Sequence, residues 1–202
     1  QGVNDPEANL FVAEALFATI TNTNFDPARF VALARQAVAY RDGLAARAPG
    51  AGGTPASPQA TWVPTFEADA LAAQAEALHA ARARTDADVV SLRELLLYGL
   101  KGLAAYADHA CILGVEDDAV YAYTHEAMDF LARGVEDVNA LVGQALKVGE
   151  VNLRVMEMLD GANTGTYGHP EPTQVRVTPV KGKCILVSGH DLKDLDELLK
   201  QT

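Results

Sequence analysis

Thr85-Asp86-Ala87-Asp88-Val89-Val90-Ser91-Leu92-Arg93-Glu94-Leu95-Leu96-Leu97-Tyr98-Gly99-Leu100-Lys101-Gly102-Leu103-Ala104-Ala105-Tyr106-Ala107 is the run that decides the fold class. Val89, Leu92, Leu96, Leu100, Leu103 and Ala107 recur at helical spacing behind a capping-box-like pair, Thr85 and Asp88, and Gly114 stands where the helix should end. Such a helix is about 40 Å long at 1.5 Å per residue. That is too long for a compact single-layer domain and suits an elongated bundle.

The flanking sequence supplies partners for it. Leu10, Ala13, Leu16, Phe17 and Ile20 share a face and predict a helix over 9–21. Asp26 as cap and Pro27 at the first helical position predict another, with Phe30, Leu33, Ala34, Ala37 and Val38 inward, fading near Arg47. Prolines and glycines crowd 49–64, so this stretch is read as a loop, with Trp62 pinning it to the bundle. An alanine-rich helix is expected over 66–82, and two more over 116–133 and 135–160, the last closed by Gly161. Helices joined by short turns predict a bundle region spanning 1–162.

The pattern changes after Gly161. Residues 163–183 carry turn formers with no apolar period and are read as a junction loop. Cys184-Ile185-Leu186-Val187 is a short apolar run, then Ser188-Gly189-His190-Asp191, then a helix with Leu192, Leu195, Leu198 and Leu199 inward. Strand, turn and helix predict the first β-α unit of a Rossmann-like α/β domain over 184–202. The expected fold class is therefore mainly α, elongated helical bundles followed by that unit.

Composition excludes several roles. The net charge of -11, from 27 acidic against 16 basic side chains, repels a phosphate backbone, so no nucleic-acid partner is expected. No apolar run approaches the roughly 20 residues that span a bilayer, so no membrane association is expected either. The start, Gln1-Gly2-Val3-Asn4-Asp5, shows no secretory signal, and a cytoplasmic location and an internal piece of a longer protein are the expectations. Cys111 and Cys184 belong to no C-x-x-C pattern and are read as small buried core residues.

His190 falls just past the carboxyl end of the expected strand, where α/β sheets hold ligands, and neutral imidazole is a competent iron ligand. Gly189, lacking a Cβ, would let backbone and a bulky cofactor approach closely. Spacing alone favours the reading in which His190 only hydrogen-bonds within a turn, with Asp191 capping the next helix and Asp194 completing a capping box. His79, His109 and His125 lie in expected helices without an i, i+4 ligand partner and are read as structural or exposed. His169, before Pro170, is read as fixing a turn.

Residues 163–175, Asn-Thr-Gly-Thr-Tyr-Gly-His-Pro-Glu-Pro-Thr-Gln-Val, and 185–192, Ile-Leu-Val-Ser-Gly-His-Asp-Leu, strongly resemble the hybrid cluster protein (prismane) family. Residues 16–26 and 91–102 resemble it too, so the likeness covers nearly the whole chain. It implies a hydroxylamine reductase, reducing hydroxylamine to ammonia and water, with nitric oxide as a rival substrate. It implies a hybrid 4Fe-2S-2O cluster with His190 as an iron ligand, and a 4Fe-4S or 2Fe-2S cluster whose cysteines are absent here. An electron-donor redox protein would be a partner. Thr21, with Asn22 behind it, is either a helix cap or a group donating a hydrogen bond to substrate over the cluster. With one imidazole and no cluster thiolates, the isolated piece is expected to be inactive. Two alternatives are part of a nickel-iron carbon monoxide dehydrogenase, which shares the architecture, and a non-catalytic helical interaction module.

Overall fold

Aspartate starts nearly every helix of this protein. The computed structural model describes residues 4–20, 23–48, 61–82 and 86–202. It contains α1 (Pro6–Ala18), α2 (Pro27–Arg47), α3 (Ala68–Arg82), α4 (Ala87–Ile112), α5 (Asp118–Ala132), α6 (Val138–Tyr167) and α7 (Leu192–Gln201). The side chains of Asp5, Asp26, Asp86, Asp117 and Asp137 each accept a hydrogen bond from a first-turn backbone N–H of the helix that follows. A carboxylate there satisfies an orphan donor and complements the helix dipole. Part of the acidic excess is thus capping chemistry.

The mainly helical expectation holds, with adjusted boundaries. α1 begins earlier than expected because Asp5-Pro6 repeats the Asp-Pro start of α2. α4 is capped by Asp86, whose carboxylate accepts from the Asp88 N–H at 2.8 Å. Thr85 lies outside the described residues, as do Thr21, Asn22 and residues 49–60 of the expected loop. At the described end of that loop, the Trp62 carbonyl accepts from Arg41 Nη1 at 2.5 Å, and Trp62 lines a groove with Phe25, Phe30 and Leu71.

α4 is the central element, packed against α6 along its length and against α1 and α5. Leu96, Leu100 and Leu103 are fully buried among Val120, Tyr123, Ala127, Val148 and Val155. Ala13, Leu16, Ala104 and Tyr121 extend the core beneath α1. The Tyr123 hydroxyl donates to the Gln144 carbonyl at 3.1 Å and so ties α5 to α6, and burial pushes its pKa up to about 12. Arg93 Nη2 donates to the Leu131 carbonyl at 3.1 Å, tying α4 to the end of α5.

Two expectations about the C-terminal third are corrected. Gly161 does not end α6, which runs 30 residues to Tyr167 and stops at Gly168, whose φ of 85° is open to glycine. The turn formers are accommodated by back-bonding. Asn163 Nδ2, Thr164 Oγ1 and Thr166 Oγ1 donate to the carbonyls of Leu159, Asp160 and Ala162 four residues earlier. The first five residues of the expected junction, 163–167, are therefore helical.

Residues 184–187 form no strand, nor does any other stretch among the described residues. A parallel strand needs ladder partners, and none lies beside this segment. Ile185 and Leu186 are exposed, at 69% and 93%. The β half of the expected Rossmann-like β-α unit is thus not formed within these residues, while its helix, α7, is. Cys184 is exposed and Cys111 half-buried, so neither is the fully buried core residue expected.

Candidate functional site

One end of the bundle brings together four elements around a cleft of about 270 Å³. Phe17 comes from the last turn of α1, Tyr106 and His109 from the last turns of α4, Asn163 from α6, and His190 and Asp191 from the turn before α7. The mixture of an apolar wall with a few convergent polar groups is typical of small-molecule and cofactor sites. Phe17 packs against the His109 ring with centroids 5.3 Å apart.

His109 is fixed from both sides. Its Nδ1 lies 2.6 Å from the Ala105 carbonyl one turn back, and its Nε2 lies 3.0 Å from Asp191 Oδ1. The same Asp191 oxygen is 3.4 Å from His190 Nε2. The two imidazole rings lie 6.1 Å apart, and the donor atoms of His109, His190 and Asp191 all fall within 4.8 Å of one another. Two nitrogens and a carboxylate at this spacing can hold a metal ion.

Gly189 makes the turn possible through its φ of 123°, a conformation strained for residues with a Cβ. No neighbour lies within 4 Å of where that Cβ would stand, so the glycine is needed for backbone conformation and not for a close contact. Asp191 does occupy the N-cap position of α7, but its side chain makes no capping hydrogen bond. The carboxylate is turned instead toward the histidines, which corrects the capping-box expectation for Asp191 and Asp194.

The expected site residues fare differently. His190 stands at the cleft with its side chain 88% exposed. Thr21 and Asn22 lie outside the described residues; the nearest described neighbours cap α1, where Thr19 Oγ1 donates to the Leu16 carbonyl and Thr23 Oγ1 to that of Phe17. His109, read from sequence as structural or exposed, is the residue the sequence analysis missed. His79 and His169 are exposed. His125 Nε2 pairs with Asn9 Oδ1 at 2.9 Å, and burial holds its pKa below the usual value.

Neither cysteine lines the cleft among the described residues. Burial, reinforced by Glu116, pushes the Cys111 thiol upward and so keeps it protonated. The cleft therefore offers nitrogen and oxygen donors but no thiolate among those residues.

Helical bundle and histidine–carboxylate cleft together define a helical protein with a metal-competent site. The chain belongs to the Prismane/CO dehydrogenase family, whose model matches residues 2–202. It is 53% identical over 204 residues to a hydroxylamine reductase of Syntrophobacter fumaroxidans, covering all of this chain and 38% of that protein. Hydroxylamine reductases of Burkholderia lata and Rhodospirillum rubrum are 51% and 47% identical, again over the whole chain and 38% of each relative. The chain thus spans well under half the length of these curated relatives. No helix among the described residues is long and apolar enough to cross a membrane.

Proposed function

We propose that this chain is part of a hydroxylamine reductase in which His190 ligates iron of a hybrid 4Fe-2S-2O cluster. The observation that carries the reading is the imidazole of His190 standing at the mouth of a cleft, beside a second histidine and a carboxylate. Relatives at about half identity over the whole chain carry the name hydroxylamine reductase, which favours this reading over a carbon monoxide dehydrogenase.

The described residues fit one edge of such a centre. His190 offers an imidazole, and the cleft offers no thiolate among those residues, so sulfur ligands would come from the remaining length that the relatives have. When bound, the cluster supplies an open iron position and the electrons of the reduction. Hydroxylamine takes up two electrons and two protons, its N–O bond breaks, and ammonia and water leave. In this reading His190 would hold iron, while Asp191, 3.0 Å from His109 Nε2 and 3.4 Å from His190 Nε2, orients the imidazole. Phe17, Tyr106, Ile112 and Leu113 form a wall that limits water. The family resemblance would give Thr21, with Asn22 behind it, a hydrogen bond to substrate. A redox protein would be the electron donor, and a second, cysteine-bound cluster of 4Fe-4S or 2Fe-2S type would supply the relay, its ligands coming from the remaining length of the relatives.

The division into a helical bundle, a junction and an α/β start at 184 belongs to the same reading, with the junction beginning at Gly168, where α6 ends. Residues 184–187 become the first strand once later residues supply ladder partners; their exposed apolar side chains and the helix that follows support this.

The test uses the protein at its relatives' length. His190→Ala should lower iron content and cut viologen-driven hydroxylamine reduction by on the order of 100-fold. Unchanged iron and turnover would remove the proposal.

A further inference from the structure

We propose that the exposed apolar face shared by α4 and α6 is a docking surface for an amphipathic helix of the same polypeptide, supplied by the length its relatives have beyond these 202 residues.

The sequence of α6 separates three faces. Leu141, Val148, Val155 and Ala162 recur at every seventh residue and are buried in the bundle. Lys147, Glu150, Arg154 and Glu157 make a charged face, on which Arg154 pairs with Asp117 and Glu157. Val142, Leu146, Gly149, Leu153 and Met156 advance by four, three, four and three residues and include no charge. That is the spacing with which one helix presents a seam to another. Their large side chains are nevertheless exposed, Leu146 at 72% and Leu153 at 67%. The charged face already serves as the solvent side of this helix, so a second exposed face without charge marks a contact surface.

α4 widens that face. The two helices meet along a line marked by Gly99 and Val148. α5 covers one side of the line, where the Tyr123 hydroxyl donates to the Gln144 carbonyl. A helix turns about 100° per residue, which places Leu95, Tyr98 and Tyr106 of α4 on the other side, with Gly149 and Met156 of α6. All three α4 side chains are exposed. Two helices with uncharged ridges beside one line form a groove that the ridge of a third helix fits. At Gly149 nothing lies within 4 Å of where a Cβ would stand, which leaves room for a close approach. Lys101 stands at the rim, its Nζ 5.1 Å from the Tyr98 ring centroid. Tyr106 also lines the histidine cleft, so the groove runs up to it.

The relatives identify the occupant. They match the whole of this chain over 38% of their own length, so the larger share of such a protein lies elsewhere. The fraction of surface buried on folding rises with chain length. A segment of the same polypeptide also reaches the groove at the high effective concentration of an intramolecular contact, an advantage that a second copy lacks. The docked helix brings apolar side chains at three- and four-residue spacing onto Leu146, Leu153 and Met156.

In the protein at its relatives' length, a photo-activatable benzoylphenylalanine at position 146 should cross-link within one polypeptide to a peptide outside these 202 residues. Without that label, pulsed hydroxyl-radical oxidation of Leu146, Leu153 and Met156, read by mass spectrometry, should be slower by about fivefold or more than in the same protein unfolded in urea. Leu146→Asp should speed oxidation of Leu153 and Met156 and Lys147→Asp should not, both keeping the wild-type helical circular dichroism. Cross-linking to a second copy or to a peptide within these residues overturns the docking surface. So does oxidation of the wild type at the unfolded rate, or an unchanged rate at Leu153 and Met156 in Leu146→Asp.

Discussion

Asp191 reaches back 82 positions to His109, and this 3.0 Å contact anchors the turn before α7 to the last turn of α4. Between α6 and that anchor, residues 168–190 are exposed throughout. Removing the anchor with His109→Ala should leave the bundle intact, because the core around Leu96, Leu100 and Leu103 lies elsewhere on α4. Limited proteolysis should cut faster within 168–190, and α7 amides should exchange faster, with the melting of the bundle unchanged. Equal protection of α7 in wild type and variant would show that the contact carries no anchoring role.

α4 and α6 approach closely at Gly99, where an added Cβ would meet Val148 Cγ1 at 2.9 Å. Valine has one strongly preferred rotamer in a helix and cannot turn away cheaply. Gly99→Ala should therefore lower the melting temperature, overpacking at about 1–3 kcal/mol outweighing a helix-propensity gain of at most about 1 kcal/mol. Gly102→Ala meets nothing within 4 Å and should raise it. Denaturant melts of the two variants side by side check the sign of each.

The core itself should respond as a close-packed interior. Leu100→Ala removes a fully buried side chain at the centre of the bundle and should cost about 2–5 kcal/mol in urea unfolding. A cost below about 1 kcal/mol would mean that α4 is not the packed centre.

Buried His125 predicts a pH dependence. Its folded pKa lies below the ordinary 6.5, so between those two values the unfolded chain binds more protons. Stability contributed by the neutral ring is present above the unfolded pKa and is lost as pH falls through it toward the folded value. Wild-type urea midpoints should drop from about pH 7.5 to about pH 5 more steeply than those of His125→Gln, whose amide still donates to Asn9 Oδ1 without titrating. Parallel slopes would contradict this.

Gly189→Ala should act on the site and spare the fold. The φ of 123° at this exposed turn is strained for alanine, and the turn can relax without disturbing the core. In the protein at its relatives' length, iron content should fall while the helical circular dichroism stays unchanged.

Much of this was legible in local sequence. The apolar period of α4, the Asp26-Pro27 start of α2 and the breakers after Arg47 are short-range signals that physical chemistry reads directly. α6 outran its expected end because Asn163, Thr164 and Thr166 back-bond to carbonyls of the same helix, and nothing in their identity distinguishes that from a turn. Residues 184–187 form no strand because a short apolar run does not supply ladder partners. His109 was missed since its functional neighbours are distant in sequence; spacing searches for helical ligand pairs look only four residues away. The family resemblance points to His190 and says nothing of the carboxylate and second imidazole that the fold sets beside it.

Ligation of iron by the His190 nitrogen is the claim on which the proposed function depends. Pulsed EPR of the protein at its relatives' length, loaded with iron and labelled with nitrogen-15 histidine, should show a strongly coupled imidazole nitrogen at a paramagnetic iron centre that vanishes in His190→Ala. A coupling that persists in His190→Ala, or none in the iron-loaded wild type, would contradict it.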